Sequence, residues 1–148
     1  VYPALARRRV LALRLDSLCR ADPTGAWVDD GSSTPATVLH GLATEVAAVR
    51  VDLTQYAETY YFRDPDHVAS IAAELGVACG LAERAVAAAR GDVRLAGRTL
   101  RASLEDLAER VDRAHLAVGG SMQDVLDAFA ADHGRTPRRL DAPGQAST

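Results

Sequence analysis

Seven apolar residues spaced alternately three and four apart, Leu39, Leu42, Val46, Val49, Leu53, Tyr56 and Tyr60, most constrain what this chain can fold into. That rhythm lines them along one side of an α-helix and predicts a helix over 34–62. Thr34 offers a side-chain cap, and Pro35 suits a first helical turn because its missing N–H is not needed there. Such a helix would be about 40 Å long at about 1.5 Å per residue. It cannot bury its stripe alone, so partner helices are required.

The rest of the sequence supplies them. A helix is expected over 3–20, where Val10, Leu11, Leu13, Leu15 and Leu18 follow Arg7-Arg8-Arg9. The stretch 21–33 breaks helical grammar with Pro23, Gly25 and Gly31, and reads as a loop in which Trp27 covers a core edge. Asp64-Pro65-Asp66 stops the second helix and provides carboxylates to cap a third. The third stripe, Val68, Ile71, Leu75, Ala78, Ala82, Ala85 and Ala89, thins to alanine, so its second half should lie tight against a neighbour. Gly76 and Gly80 weaken that helix by about 1 kcal/mol each relative to alanine, and a kink is expected there.

A fourth stripe comprises Val93, Gly97, Leu100, Leu104, Leu107, Val111, Ala114 and Val118, ended by Gly119-Gly120. On its outer face, Asp106/Arg110 and Glu109/Arg113 are spaced for ion pairs one turn apart. Ser121 and Asp124 form the frame of a capping box for a short fifth helix to about residue 132. The expected fold is therefore all-α: an antiparallel helical bundle of four main helices plus a short fifth. Residues 1–133 form this domain and 134–148 a flexible C-terminal tail.

The chemistry is sparse. The expected interior of Leu, Val and Tyr leaves no room for reactive groups. Glu109, Asp112 and His115 are metal-ligating types, but no Glu-x-x-His motif occurs and the inward positions are apolar, so no metal and no cofactor are expected. Ser17, Ser103 and Ser121 lack a nucleophile elbow, and His40, His67, His115 and His133 have no catalytic spacing. No phosphate loop is present. The chain reads as non-catalytic.

Two clusters remain as binding candidates. Tyr56, Tyr60 and His67, joined by Trp27, could line an apolar ligand pocket with a titratable rim, although Tyr56 and Tyr60 also continue the core stripe. Arg7, Arg8 and Arg9 are either a solvated helix end or a membrane-proximal basic cluster. With no lysine, 17 arginines against 20 acids and a net charge of −3, a nucleic-acid partner is not expected. Cys19 and Cys79 fit no disulfide framework, consistent with a reduced, cytosolic setting. No apolar run is long enough to span a bilayer. The absence of an initiating methionine points to a piece of a longer protein.

The block Glu45-Val-Ala-Ala-Val-Arg50-Val-Asp52-Leu-Thr-Gln55-Tyr-Ala-Glu-Thr-Tyr60-Tyr-Phe62 resembles a soluble helical segment of bacterial two-transmembrane potassium-channel-like proteins. The likeness fades through Asp66, Ser70, Ile71 and Leu75, and with that continuation covers about a fifth of the chain. A Thr-Val-Gly-Tyr-Gly-type filter is absent, so conduction cannot reside here. The resemblance implies a cytoplasmic module at the inner face of the cell membrane, attached to a membrane-embedded part of the same parent protein. The leading expectation is thus a homo-oligomerising domain that mediates assembly or regulation of an ion-channel-like membrane protein. The alternative is a stand-alone helical sensor for an apolar small molecule near Trp27, Tyr56 and Tyr60.

Overall fold

The computed structural model describes residues 2–142. It is 76% helical and contains no strand among those residues. Five α-helices form the body: α1 (Tyr2–Ala21), α2 (Thr34–Gln55), α3 (Ile71–Val86), α4 (Gly91–Val111) and α5 (Met122–Asp132). The protein is an all-α helical bundle.

The stripes are buried over most of their length, although Ala89, Ala114 and Val118 at their ends are exposed. Leu39, Leu42, Val46, Val49 and Leu53 of α2 meet Leu100, Leu104, Leu107 and Val111 of α4 in one continuous core. Successive helices run in opposite directions. Around the ring, however, the order is α1, α2, α4, α3, with the most extensive packing between α2 and α4. Those two are parallel: Arg90, at the start of α4, donates to the Gly31 carbonyl just before α2, while Tyr60, just after α2, stacks on His115 just after α4. The connector 56–70 must therefore cross the end of the bundle to reach α3.

This crossing explains where helix two ends. It stops at Gln55 and not at Phe62, because Tyr56 adopts φ −127°, ψ 63° and the chain turns into a short 3-10 segment, Ala57–Tyr61. At its other end Ser33 occupies the cap position, and neither it nor Thr34 makes a side-chain cap bond. The third helix also starts later than its stripe suggests. Asp66 caps a separate 3-10 turn, His67–Ala69, by accepting from the Val68 N–H, and α3 begins only at Ile71.

The α3 helix is buried on nearly every side, including Ile71 through Leu75, Val77, Ala78, Cys79, Leu81, Ala82 and Ala85. Its small residues admit α4 closely: a Cβ on Gly97 would lie 2.5 Å from the Ala85 Cβ and 2.8 Å from the Val86 nitrogen. The helix is continuous through Gly76 and Gly80. Those glycines instead leave room for the chain beyond α5. Residues 134–142 have no regular structure but are fastened to the body, so the flexible tail expected from Gly134 is, over these residues, a docked strap. Its Arg138 N–H donates to the Ala73 carbonyl and its Asp141 N–H to the Pro23 carbonyl, each at 2.8 Å. Residues 143–148 of the expected tail lie outside the described residues.

The far end of α4 unwinds. Asp112–Leu116 form a π-helical turn, Ala117 takes a left-handed φ of 55°, and Val118 is exposed where the stripe anticipated burial. The Ser121–Asp124 capping box then starts α5 with both of its reciprocal bonds. Among the described residues no helix is long and apolar enough to cross a membrane.

Candidate functional site

Two clusters of polar groups lie within this framework, one at the crossing connector and one under the strap. At the connector, a chain that leaves a helix and crosses a bundle end exposes backbone groups that need partners. The arginine trio of α1 supplies a partner to one such carbonyl and to two carboxylates beside it. Arg7 makes a two-pronged bond to Asp52 at 2.5 and 2.8 Å. Arg8 is buried, donates to the Phe62 carbonyl at 3.1 Å and stands over the Phe62 ring. Arg9 pairs with the buried Asp64 at 2.6 Å. From the opposite side, Arg63 reaches the Asp132 carbonyl at 2.8 Å and Arg135 reaches the Asp64 carbonyl and the His67 ring. Arg7, Arg8 and Arg9 are thus committed to partners within the fold.

The buried Tyr60 is the hub of this end. Its hydroxyl donates to Asp132 at 2.5 Å, and burial together with that bond pushes the phenol well above its ordinary range. His115 stacks on the ring at 3.8 Å with a 4° interplanar angle. His133 and Phe129 complete the aromatic group. Burial pushes the His133 imidazole down to about 4, and burial also lowers His115, whose Nδ1 has no partner. His115 lies within the π-helical turn Asp112–Leu116. The arrangement is a packed knot in which neutral imidazoles are favoured.

Beneath the strap, Glu74 has no exposed surface and Asp16 is 3% exposed. One guanidinium serves both, since Arg138 pairs with Asp16 and lies 3.5 Å from Glu74 Oε1. Arg20 adds a second bond to Asp16 at 2.9 Å. The other Glu74 oxygen, Oε2, is buried without a hydrogen-bond partner. Burial pushes the Glu74 carboxyl up to about 7, while Arg138 pulls it down and Asp16 raises it further. The interior therefore does hold ionisable groups, contrary to the expectation of a purely apolar core.

The expected ligand quartet does not converge. Trp27 lies in the 3-10 turn Ala26–Asp29 before α2, packed against the core and close to Arg84, which donates to the Thr24 carbonyl. Tyr56, Tyr60 and His67 follow α2, whose 22 residues separate the two groups by about 30 Å at about 1.5 Å per residue. His67 is exposed beside Arg135. An open cavity of about 380 Å³ lies nearer Trp27, lined by Gly76, Gly80, Glu83, Arg84, Arg139 and Leu140 among others, and its rim is charged.

Sequence reasoning missed Glu74, Asp16, Arg138 and His133 as members of clusters, and weighed His115 only beside Glu109 and Asp112 and not beside Tyr60. Only Glu74 left a signal, as the single acid in the otherwise apolar run 71–82. No group of three or more His, Cys, Asp or Glu residues among those described is placed to hold a metal ion. Cys19 and Cys79 are free and buried, and burial pushes the Cys79 thiol up to about 12. Thiolate chemistry is thereby disfavoured at both. Comparison with family models, curated proteins and solved structures finds no match for this chain.

Proposed function

We infer that this chain is a non-catalytic helical module that self-associates and so mediates assembly or regulation of a larger, channel-like membrane protein. One observation carries the assembly reading. Tyr2, Ala6, Val10 and Leu13 form a stripe at helical spacing on the outer face of α1, and Tyr2 and Val10 are 86% and 60% exposed. The stripe borders an apolar recess of about 250 Å³ lined by Ala6, Arg7, Val10, Glu45 and Ala48. Val51 extends the apolar surface onto α2.

The occupant that best fits is a second copy. The charges beside the recess, Arg7 and Glu45, are already paired with Asp52 and Arg14, so the surface left over is apolar and a two-fold axis would lay one α1 stripe against its copy. The link to a membrane parent is supported by the resemblance of residues 45–62, which include the braced Tyr60-Tyr61-Phe62 connector. The arginine trio does not add to that support, because its partners lie within the fold.

Sedimentation velocity over a concentration series tests the assembly reading. The wild-type chain is expected to shift from monomer to dimer with concentration, and Val10→Asp to remain monomeric with unchanged helicity. A wild-type chain that stays monomeric throughout, or a Val10→Asp chain that dimerises equally, overturns it.

A further inference from the structure

The strap is seated on α3 in the manner of a bound peptide. Gly76 and Gly80, one turn apart, strip α3 of side chains over a short groove, and the strap backbone fills the space. A Cβ on Gly76 would collide with the Arg138 carbonyl oxygen, and one on Gly80 would lie 2.9 Å from a Leu140 methyl. Main-chain bonds flank the contact, from Arg138 to Ala73 and from Asp141 to Pro23. Three side-chain positions add selectivity, and of these Arg139 donates to both carboxylate oxygens of Asp127 on α5 at 2.7 and 2.8 Å. The Arg138 guanidinium enters the buried Asp16–Glu74 pair, and Leu140 packs between Gly25, Gly80 and Leu81. Main-chain bonds that give affinity and alternate side chains that give selectivity are the ingredients of peptide recognition.

A carboxylate as deeply buried as Glu74, with one oxygen unpartnered, is unfavourable in a core unless a cation reaches it. Among the described residues, only the strap brings that cation. The groove is therefore complementary to an extended segment with arginine and, two residues on, leucine. Every copy of the chain carries that segment, Arg138-Arg139-Leu140, tethered by a hinge with Gly134 at φ +68° and Pro137.

We propose that the α3 groove is a peptide-recognition site whose resident ligand is the chain's own strap, and that the strap of a second copy can occupy it in trans. Exchange of a terminal element between identical chains is a low-cost route to association because every contact already exists within the monomer. This site is separate from the α1 stripe, and each can fail without the other.

Fluorescence anisotropy with a labelled peptide of residues 134–142 tests it on the full chain. Arg138→Ala, whose own strap is weakened, should bind this peptide at least about tenfold more tightly than wild type. A peptide carrying alanine at position 138 should bind about tenfold less tightly to the same variant. Val10→Asp should match wild type. Equal affinities for the two peptides, or no binding to folded Arg138→Ala, overturn the proposal.

Hydrogen exchange on the wild-type chain gives a second test that needs no variant. The amides of Arg138 and Asp141 should exchange at least about tenfold faster than those of Leu100 and Leu104, reporting strap opening without global unfolding. Exchange of all four at one rate overturns the proposal.

Discussion

The Arg138 guanidinium stands 3.5 Å from Glu74, and the same group grips Asp16, so one strap cation serves two buried acids that are 58 residues apart, 74 less 16. Removing a cation from such a pair leaves uncompensated charge inside the fold. Arg138→Ala should therefore raise the Glu74 titration above its present value of about 7, because Arg138 lowers it in the intact protein. Infrared spectroscopy of the protonated carboxyl band, followed against pH, reads this directly. An unchanged midpoint would show that Arg138 does not act on Glu74.

Glu74 also gives stability a pH dependence of known sign. Its carboxyl titrates at about 7 in the fold against an ordinary 4.5, so within that window the folded chain keeps a proton that the unfolded chain has released. Its contribution is fully present below the lower value and is lost as pH rises through the upper one. Thermal midpoints of the wild type should fall by several degrees between about pH 5 and about pH 8, and Glu74→Gln should flatten that limb. Parallel curves for the two proteins would refute the assignment.

His133 acts in the opposite sense. It titrates at about 4 against an ordinary 6.5, so its contribution is present above the higher value and is lost as pH falls towards the lower. His133→Phe retains a ring against Tyr60 and Phe129 but cannot take a proton. Its thermal midpoint should decline less steeply than that of the wild type on acidification, measured by circular dichroism at a series of pH values.

Gly97→Ala separates packing from helix propensity. Propensity alone would favour alanine by about 1 kcal/mol in a helix interior. The new methyl would meet Ala85 at 2.5 Å, where α3 and α4 are too close to yield. Overpacking of this kind costs about 1–3 kcal/mol. Urea denaturation should show a lower midpoint than wild type, and a higher one would mean that the helices separate freely.

Tyr60→Phe removes only the hydroxyl that donates to Asp132. A hydrogen bond to a charged group contributes about 1.5–3 kcal/mol, and the low end is expected here because Asp132 is exposed to water. Urea denaturation should report that loss, and far-ultraviolet dichroism should remain unchanged. No change in the urea midpoint would show that the bond adds nothing to stability.

The parts of this fold legible in the sequence are those fixed by local periodicity. Leu39 through Leu53 of α2 and Leu100 through Val111 of α4 are buried as their spacing dictates, and Ser121 with Asp124 caps α5 as its motif dictates. A stripe states which face is buried but not against which neighbour, so the parallel packing of α2 on α4 could not be read from it. Helix two was over-extended for the same reason. Tyr56 and Tyr60 keep the helical rhythm and no glycine or proline precedes the break; the demand to cross the bundle end imposes it. Glu74 sits at a helical position within an apolar run, and its partner Arg138 lies 64 residues later, beyond the reach of any local pattern. Gly76 and Gly80, read as weak points, are in fact clearances for the strap.

That strap has a practical bearing on where this domain ends. A version truncated just after α5, the natural place to cut by secondary structure, would delete Arg138 and Leu140, strand two carboxylates and lay open the bare flank of the innermost helix. A boundary drawn to keep every contact that the strap makes with the body therefore falls no earlier than Asp141.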